Sequence, residues 1–214
     1  MGAGALPLAG HRRRPPIPIV PVDTRARADA LARGADDYAA WLAAVATAPG
    51  RRVIDTADVE VLRTTLAARR ATPGMSVGEV ALAVDTGRAL AATAAAEAVG
   101  VLVARAPAGR DDSAATALAA SLTGAADPVA NGPLGALRRL GDATTAVLCG
   151  VALGAGEQGL GCVCDGLAAL VGAAVAAAIE PDVRARLIAV RAPGDPVRAA
   201  LLAKLGLIEV EPAG

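Results

Sequence analysis

The chain has almost no aromatic side chains: its 214 residues include one Trp, one Tyr and no Phe. The core must therefore be built from Ala, Val and Leu, and thin side chains of this kind let helices pack closely. The shortage also removes the stacking platforms that bind single-stranded nucleic acid. Net charge is absent too, because 21 Lys and Arg balance 21 Asp and Glu. We therefore predict no nucleic-acid partner and no membrane partner.

A long uncharged apolar run is also missing. A membrane-spanning helix needs about 18 apolar residues or more, whereas the two best runs, 143–156 and 166–179, stop at Glu157 and Glu180. Near the N-terminus the arginines 12–14 follow a short apolar stretch, and no long apolar region comes after them, which is unlike a secretory signal. The sequence predicts a cytoplasmic protein without a spanning segment.

Histidine and cysteine are scarce. His11 is the single histidine, and Cys149, Cys162 and Cys164 all fall in apolar surroundings. Cys162 and Cys164 are two apart on a predicted strand and so share a face, but a zinc site needs further ligands. We predict buried, reduced thiols and no metal.

Glycine is plentiful, and Gly154–Gly159 matches the dinucleotide-binding pattern G-x-G-x-x-G. That pattern binds NAD only where it leaves a strand and opens a helix. Here it follows a predicted helix and precedes a predicted strand, which favours a helix C-cap and turn. No cofactor is predicted.

The chain divides into three predicted segments. Residues 1–22 carry five prolines and are predicted to form an extended arm. Residues 23–74 are predicted to be a helical N-terminal segment, with helices over 24–47 and 55–70 and a short strand at 51–54. Residues 75–214 are predicted to form one α/β domain.

Helices and strands alternate from residue 75 onward. Ser76 and Glu79 form a capping box that begins a helix reaching about residue 98. Further helices are predicted over 111–122, 137–140, 144–155, 167–179 and 197–205, and strands over 100–104, 161–164, 186–190 and 206–210. This alternation is typical of a parallel sheet. The predicted fold class is three-layer α/β: a mostly parallel, Rossmann-like sheet with alanine-rich helices on both faces.

Ligands of open parallel sheets bind beyond the carboxyl ends of the strands. That rule selects the loops 105–113, 165–166 and 191–196 and the segment after residue 210. In the first loop, Asp111, Asp112 and Ser113 begin a helix whose free N–H groups are able to hold a phosphate. The two carboxylates favour capping that helix instead.

Two further positions have two interpretations each. Asp165 ends a strand, and it either faces a ligand or caps the next helix; both alternatives stay open. Arg191 and Arg198 either bind an anion or are solvated at the surface, which is the more common fate of an arginine.

The last third of the chain resembles a known family. Three of its segments keep the family's spacing without a gap: Asp165-Gly166-Leu167 before an alanine-rich helix, 189–198, and 202–207. They correspond to Asp-Gly-Phe, Ala-Ser-His-Arg-Ser-Ala-Glu-Pro-Gly-His and Leu-Glu-Ala-Leu-Gly-Leu in the nicotinate-nucleotide:dimethylbenzimidazole phosphoribosyltransferases of cobalamin biosynthesis. Leu122-Thr123-Gly124 resembles a Leu-Thr-Gly helix end of that family, so the resemblance covers residues 75–210.

The resemblance implies transfer of phosphoribose from nicotinate mononucleotide to a benzimidazole, without an essential metal. It also implies dimerisation, so the predicted partners are a nucleotide or benzimidazole ligand and a second copy or a full-length homologue. By resemblance, the substrate- and phosphate-binding positions are Gly109, Arg110, Asp111, Asp112, Ser113, Asp165, Gly166 and Arg191.

The departures from the family fall within its motifs. Gly-Ile-Gly-Asn-Thr-Thr stands here as 108–113, so flexible glycines and neutral donors become a cation and two anions. Both motif histidines become arginines, at 191 and 198. The family's catalytic glutamate lies in a Gly-Glu-Gly-Thr-Gly segment beyond the last strand, whereas this chain ends at Gly214. We therefore expect a shortened phosphoribosyltransferase, impaired on its own, with no catalytic residue assigned; the alternative is a non-catalytic ligand-binding or interaction subunit.

Overall fold

The computed structural model describes residues 52–55, 74–97, 99–106, 111–124, 132–192, 194–207 and 209–210. The predicted arm 1–22, the predicted helix 24–47 and nearly all of the predicted helix 55–70 lie outside these ranges, as do Gly109 and Arg110. The division of the chain at residues 22 and 74 stays a prediction.

The described residues form alternating strands and helices. The strands are β1 Arg52–Asp55, β2 Val99–Arg105, β3 Gly161–Asp165, β4 Leu187–Val190 and β5 Glu209–Val210. The helices are α1 Val77–Ala96, α2 Ser113–Thr123, α3 Gly132–Leu140, α4 Ala143–Gln158, α5 Leu167–Ile179 and α6 Pro196–Leu205, and a 3-10 helix, Pro181–Arg186, precedes β4. These strands pair in parallel in the order β1–β2–β3–β4–β5.

The fold class predicted from the sequence, α/β with a parallel sheet, is confirmed. β1 lies in the segment 23–74, which was predicted to be mainly helical, and it matches the short strand predicted at 51–54. α3 begins at Gly132, earlier than predicted: residues 132–136 belong to the helix and not to the connecting turn expected there. Within the described ranges, no helix has the length and apolar character needed to cross a bilayer.

The start of α1 follows the sequence prediction in detail. The Ser76 hydroxyl accepts a hydrogen bond from the Glu79 N–H at 3.2 Å, and a Glu79 carboxylate oxygen accepts one from the Ser76 N–H at 2.7 Å. The capping box therefore satisfies two N–H groups that the first turn leaves unpaired. It fixes the point at which α1 begins.

The sheet buries side chains on both of its faces. On one face, two rows of side chains join the core that the helices form: Leu102, Cys162, Leu187, Ala104, Cys164 and Ala189. On the other face Val101, Val103 and Val163 are buried as well, although they lie outside that core cluster. Strands that are apolar on both faces are typical of a covered parallel sheet.

Helices α1 and α4 touch through glycine. A Cβ added at Gly87 would lie 2.1 Å from the carbonyl oxygen of Val147, and one at Gly150 would lie 2.0 Å from that of Val84. Both contacts are with backbone atoms, so a side chain at either position would push the helices apart. At this crossing, the close packing expected of a chain without large side chains is observed.

The glycine pattern 154–159 lies at the end of α4. Gly159 is the C-cap, with a φ of 73°, as predicted. The predicted turn begins too early, since α4 continues past residue 155 through Gly156 to Gln158. Added Cβ atoms at Gly154 and Gly156 would meet Ala91 at 2.7 Å and Val183 at 2.8 Å, so these two glycines allow close packing.

Candidate functional site

The carboxyl ends of β2 and β3 bring an arginine beside an aspartate. Arg105 and Asp165 are paired in the sheet register, and their Nη1 and Oδ2 atoms lie 3.6 Å apart. Both side chains are partly exposed, at 46% and 32%. Asp165 therefore lies beside a cation at the carboxyl edge of the sheet. The alternative that it caps α5 is not realised, because the N-cap of α5 is Gly166 and no side chain caps that helix.

Gly166 gives α5 an open start. Its φ of 86° lies in the region that favours glycine, and a Cβ there would meet nothing within 4 Å. α5 is 13 residues long, its N-cap is a glycine without a side chain, and within the described ranges no side chain is hydrogen-bonded to its first turn. The free N–H groups and the positive end of the helix dipole make such a start suitable for an anion. This is the clearest candidate for a phosphate position at the edge of the sheet.

The start of α2 is closed by its own side chains. The two carboxylate oxygens of Asp111 accept hydrogen bonds from the Ser113 N–H at 2.9 Å and from the Ser113 hydroxyl at 2.8 Å. Asp112 occupies the N-cap position without a side-chain cap bond. The predicted capping role therefore belongs to Asp111. Its charge stands where a phosphate would otherwise bind.

The start of α6 is capped in the same manner. One Asp195 oxygen accepts hydrogen bonds from the N–H groups of Val197 at 2.9 Å and Arg198 at 3.3 Å. Arg191 is exposed directly after β4, on the same loop. Of α5 and α6, the α-helices that directly follow β3 and β4, α5 is the one whose start no side chain of the described residues caps.

Arg198 is buried, so of its two interpretations from the sequence, solvation at the surface is excluded. Its residue is 2% exposed, and the closest ion-pair contact places its Nε 3.9 Å from a Glu209 carboxylate oxygen. No atom of the described residues accepts a hydrogen bond from Nε, Nη1 or Nη2. Sequence reasoning missed this burial although the spacing showed it: Arg198, Leu201 and Leu205 form the buried face of α6.

The three cysteines are free and buried. Burial raises the pKa of the Cys149 thiol to about 12. The pKa of the Cys164 thiol is also raised, chiefly by its hydrogen bond with Cys162 and by burial, and the charge of Arg198 opposes that shift. In the parts of the chain that the structure describes, no three His, Cys, Asp or Glu side chains cluster as metal ligands.

The fold and site together define a class of protein. It is a parallel α/β protein with an uncapped helix start at the carboxyl end of its middle strand, where proteins of this class bind phosphorylated ligands. Of the predicted site residues, the structure brings Asp165 and Gly166 together beside Arg105, and it joins Asp111 to Ser113. Gly109 and Arg110 lie outside the described residues.

Comparisons with known proteins narrow this class. Residues 125–211 match a family model described as phosphoribosyltransferase. Two similar solved structures come from Thermus thermophilus, one named nicotinate-nucleotide-dimethylbenzimidazole phosphoribosyltransferase and the other CobT. Each superposes with a TM-score of 0.57 at 26% sequence identity over 66% of this chain. No curated protein sequence matches the chain.

These matches confirm the resemblance predicted from the sequence. The chain resembles the nicotinate-nucleotide:dimethylbenzimidazole phosphoribosyltransferases both in the family model and in the fold. It spans 51% and 52% of the lengths of the two solved chains, about half of each.

Proposed function

We propose that the chain binds nicotinate mononucleotide, or a nucleotide of the same kind, and takes part in phosphoribosyl transfer to a benzimidazole. The observation that carries the proposal is the uncapped start of α5 at Gly166, at the carboxyl end of β3. Its free N–H groups suit the phosphate of a mononucleotide. The resemblance to phosphoribosyltransferases supports this choice of ligand.

The charges near the start of α5 suit a phosphate because Arg105 offsets the negative charge of Asp165. Asp165 directly precedes Gly166, and alone it would repel the ligand. Its contact with Arg105, at 3.6 Å, offsets that charge. Arg191, exposed at the end of β4, adds a second positive charge to the same edge.

The loop before α2 is assigned to the sugar. Asp111 holds Ser113, and a carboxylate accepts hydrogen bonds from ribose hydroxyls but repels a phosphate. Gly109, Arg110 and Asp112 belong to the same loop and are kept as proposed substrate contacts. The proposal includes neither a metal nor a cofactor, and a cytoplasmic location suits its three free thiols.

A binding experiment tests the phosphate position. Calorimetric titration should show that nicotinate mononucleotide binds and that nicotinate riboside, which lacks the phosphate, binds much more weakly. Arg105→Gln should weaken nucleotide binding several-fold, since Asp165 is then left uncompensated beside the phosphate. The matched control is Arg184→Gln, an exposed position on the 3-10 helix at the opposite edge of the sheet. Equal binding of both ligands would contradict the proposal.

Turnover is tested separately. The chain is incubated with nicotinate mononucleotide and dimethylbenzimidazole, and α-ribazole phosphate is measured. Formation of this product would establish the transferase. Binding without product would support the impaired form of the proposal, in which the chain keeps the ligand site.

A second candidate function is a subunit that pairs with another copy or with a full-length homologue. It is favoured by the exposed apolar residues on α1, where Val77 is 71% and Leu82 is 62% exposed. Apolar groups of this kind suit a partner surface. Sedimentation should show a dimer of the chain or a complex with a full-length homologue, and Leu82→Asp should weaken that association. A wild type that stays monomeric at all concentrations and does not bind the homologue would contradict this candidate.

A further inference from the structure

Arg198 stands at a position of α6 where the helix period places an apolar side chain. It begins the row Arg198, Leu201 and Leu205, which forms the buried face of the helix. The two leucines belong to the hydrophobic core. An arginine is rarely buried without partners, because removing its charge from water is costly. The burial of Arg198 therefore calls for a compensating interaction.

The described protein supplies only part of that compensation. A guanidinium carries five N–H donors, yet within the described ranges none of the Arg198 nitrogens has a hydrogen-bond acceptor. Glu209 contributes opposite charge, but its oxygen is 3.9 Å from Nε, which is beyond hydrogen-bonding distance. The donors are therefore buried without an oxygen acceptor among the described residues.

The sheet beneath Arg198 carries small side chains. Ala104, Cys164, Ala189 and Glu209 occupy one row across β2, β3, β4 and β5. Ala104, Cys164 and Ala189 are themselves buried, and neither alanine nor cysteine brings a strong acceptor to the guanidinium. Glu209 is 32% exposed, so the row meets solvent on the β5 side. The opposing effect of the Arg198 charge on the Cys164 pKa agrees with its place above this row.

We propose that Arg198 is the cationic contact for an oxyanion of the phosphate monoester class, which reaches it from the β5 side and competes there with Glu209. Two phosphate oxygens match the planar fork of a guanidinium, which explains an arginine rather than a lysine here. Cys164, whose pKa the Arg198 charge affects, lies two residues before Gly166, about 7 Å along the strand, so Arg198 belongs to the same edge of the sheet as the start of α5. The inference rests on the proposed function for the identity of the ester.

The test uses inorganic phosphate and ribose 5-phosphate, titrated into the full chain and followed by calorimetry and by thermal unfolding. Both probes should bind the wild type and raise its Tm. Arg198→Met should weaken both affinities on the order of tenfold or more, the effect of losing a charge-assisted hydrogen bond. Arg198→Lys should give an intermediate loss. Arg184→Met, the same change at an exposed arginine, should leave both affinities unchanged.

The variant Glu209→Gln distinguishes an anion-binding site at Arg198 from an Arg198–Glu209 ion pair that only stabilises the fold. If an anion competes with Glu209, removing that charge should tighten phosphate binding several-fold. If Glu209 is the sole partner of Arg198, the variant should lose stability without any gain in phosphate affinity, and the inference fails. It fails equally if the wild type binds neither probe, or if Arg198→Met binds both as the wild type does.

Folding of the variants does not obscure the result. Replacing a buried, poorly paired charge by an apolar side chain of similar length is often neutral or stabilising, so Arg198→Met should keep its far-ultraviolet circular dichroism. Phosphate binding that depends on Arg198, without preference for nicotinate mononucleotide, would sustain the inference and remove the proposed function. If Arg198→Met leaves nucleotide binding unchanged, the proposed function is sustained and the inference about Arg198 fails.

Discussion

Gly150 is the position at which the packing of the fold is most sensitive to a single methyl group. Its Cα faces the backbone of α1, and a Cβ there would lie 2.0 Å from the carbonyl oxygen of Val84 and 2.8 Å from the carbonyl carbon. Ordinary contact begins at 3.4 Å, so Gly150→Ala requires the helices to separate by about 1.4 Å. Neither contact atom is the end of a flexible side chain, so the shift must come from a whole helix.

The expected cost combines two opposing terms. Alanine is better than glycine inside a helix by about 1 kcal/mol, which favours the variant. A gap of about 0.5–1 Å already forfeits about a quarter to a half of the dispersion energy of each contact, and overpacked cores lose about 1–3 kcal/mol or more. Since α1 and α4 are 20 and 16 residues long and share the largest helix contact, we expect the upper end of that range. The net prediction is a loss of about 2–3 kcal/mol.

Urea denaturation followed by circular dichroism measures this loss, and Tm should fall by roughly 5–10 °C. The matched control is Gly78→Ala, also in a helix, where an added Cβ meets nothing within 4 Å. That variant should be as stable as the wild type or slightly more stable. If Gly150→Ala behaves like Gly78→Ala, then α1 and α4 are not in backbone contact, and the reasoning is refuted.

Two further predictions concern α4. Asp142 is 1% exposed and accepts hydrogen bonds from the N–H and hydroxyl of Thr145, both at 2.9 Å. Asp142→Ala should therefore lower the unfolding free energy measured in urea by about 1–2 kcal/mol, and Asp142→Asn should lower it clearly less. Burial raises the pKa of Cys149 from 9.0 to about 12, so its contribution to stability is complete below pH 9 and declines as the pH rises towards 12, by about 1.4 kcal/mol per pH unit. The unfolding free energy of Cys149→Ala should therefore fall less steeply with alkaline pH than that of the wild type, and parallel slopes would contradict the assignment.

Most of the fold could be predicted because local signals and topology agree. The capping box at Ser76 and Glu79 marks the start of α1, and apolar strands between helices predict a parallel sheet. The end of α4 could not be predicted, since Gly154 and Gly156 resemble helix breakers in the sequence. Their role depends on Ala91 and Val183, which lie far away along the chain and close in space.

The candidate site was less predictable for the same reason. The rule for strand ends located Asp165 and Gly166, but the partner of Asp165 is Arg105, and only the sheet register shows that pairing. For Arg198 the sequence left anion binding and surface solvation open, and residue type alone favoured the surface. Its spacing from Leu201 and Leu205 carried the contrary signal, and helix period is the better guide at this position than residue type.

The lack of aromatic residues connects the packing of this fold with its candidate site. Small side chains let α1 and α4 meet through Gly87 and Gly150. The same composition places buried alanine and cysteine in the row beneath Arg198, and neither offers a strong acceptor to its guanidinium. A buried guanidinium is costly unless hydrogen-bond acceptors pair with its donors. Glu209, at 3.9 Å, supplies opposite charge but no hydrogen bond. The composition that closes the helices on one another therefore leaves the donors of Arg198 without acceptors among the described residues, and the proposed oxyanion would supply them.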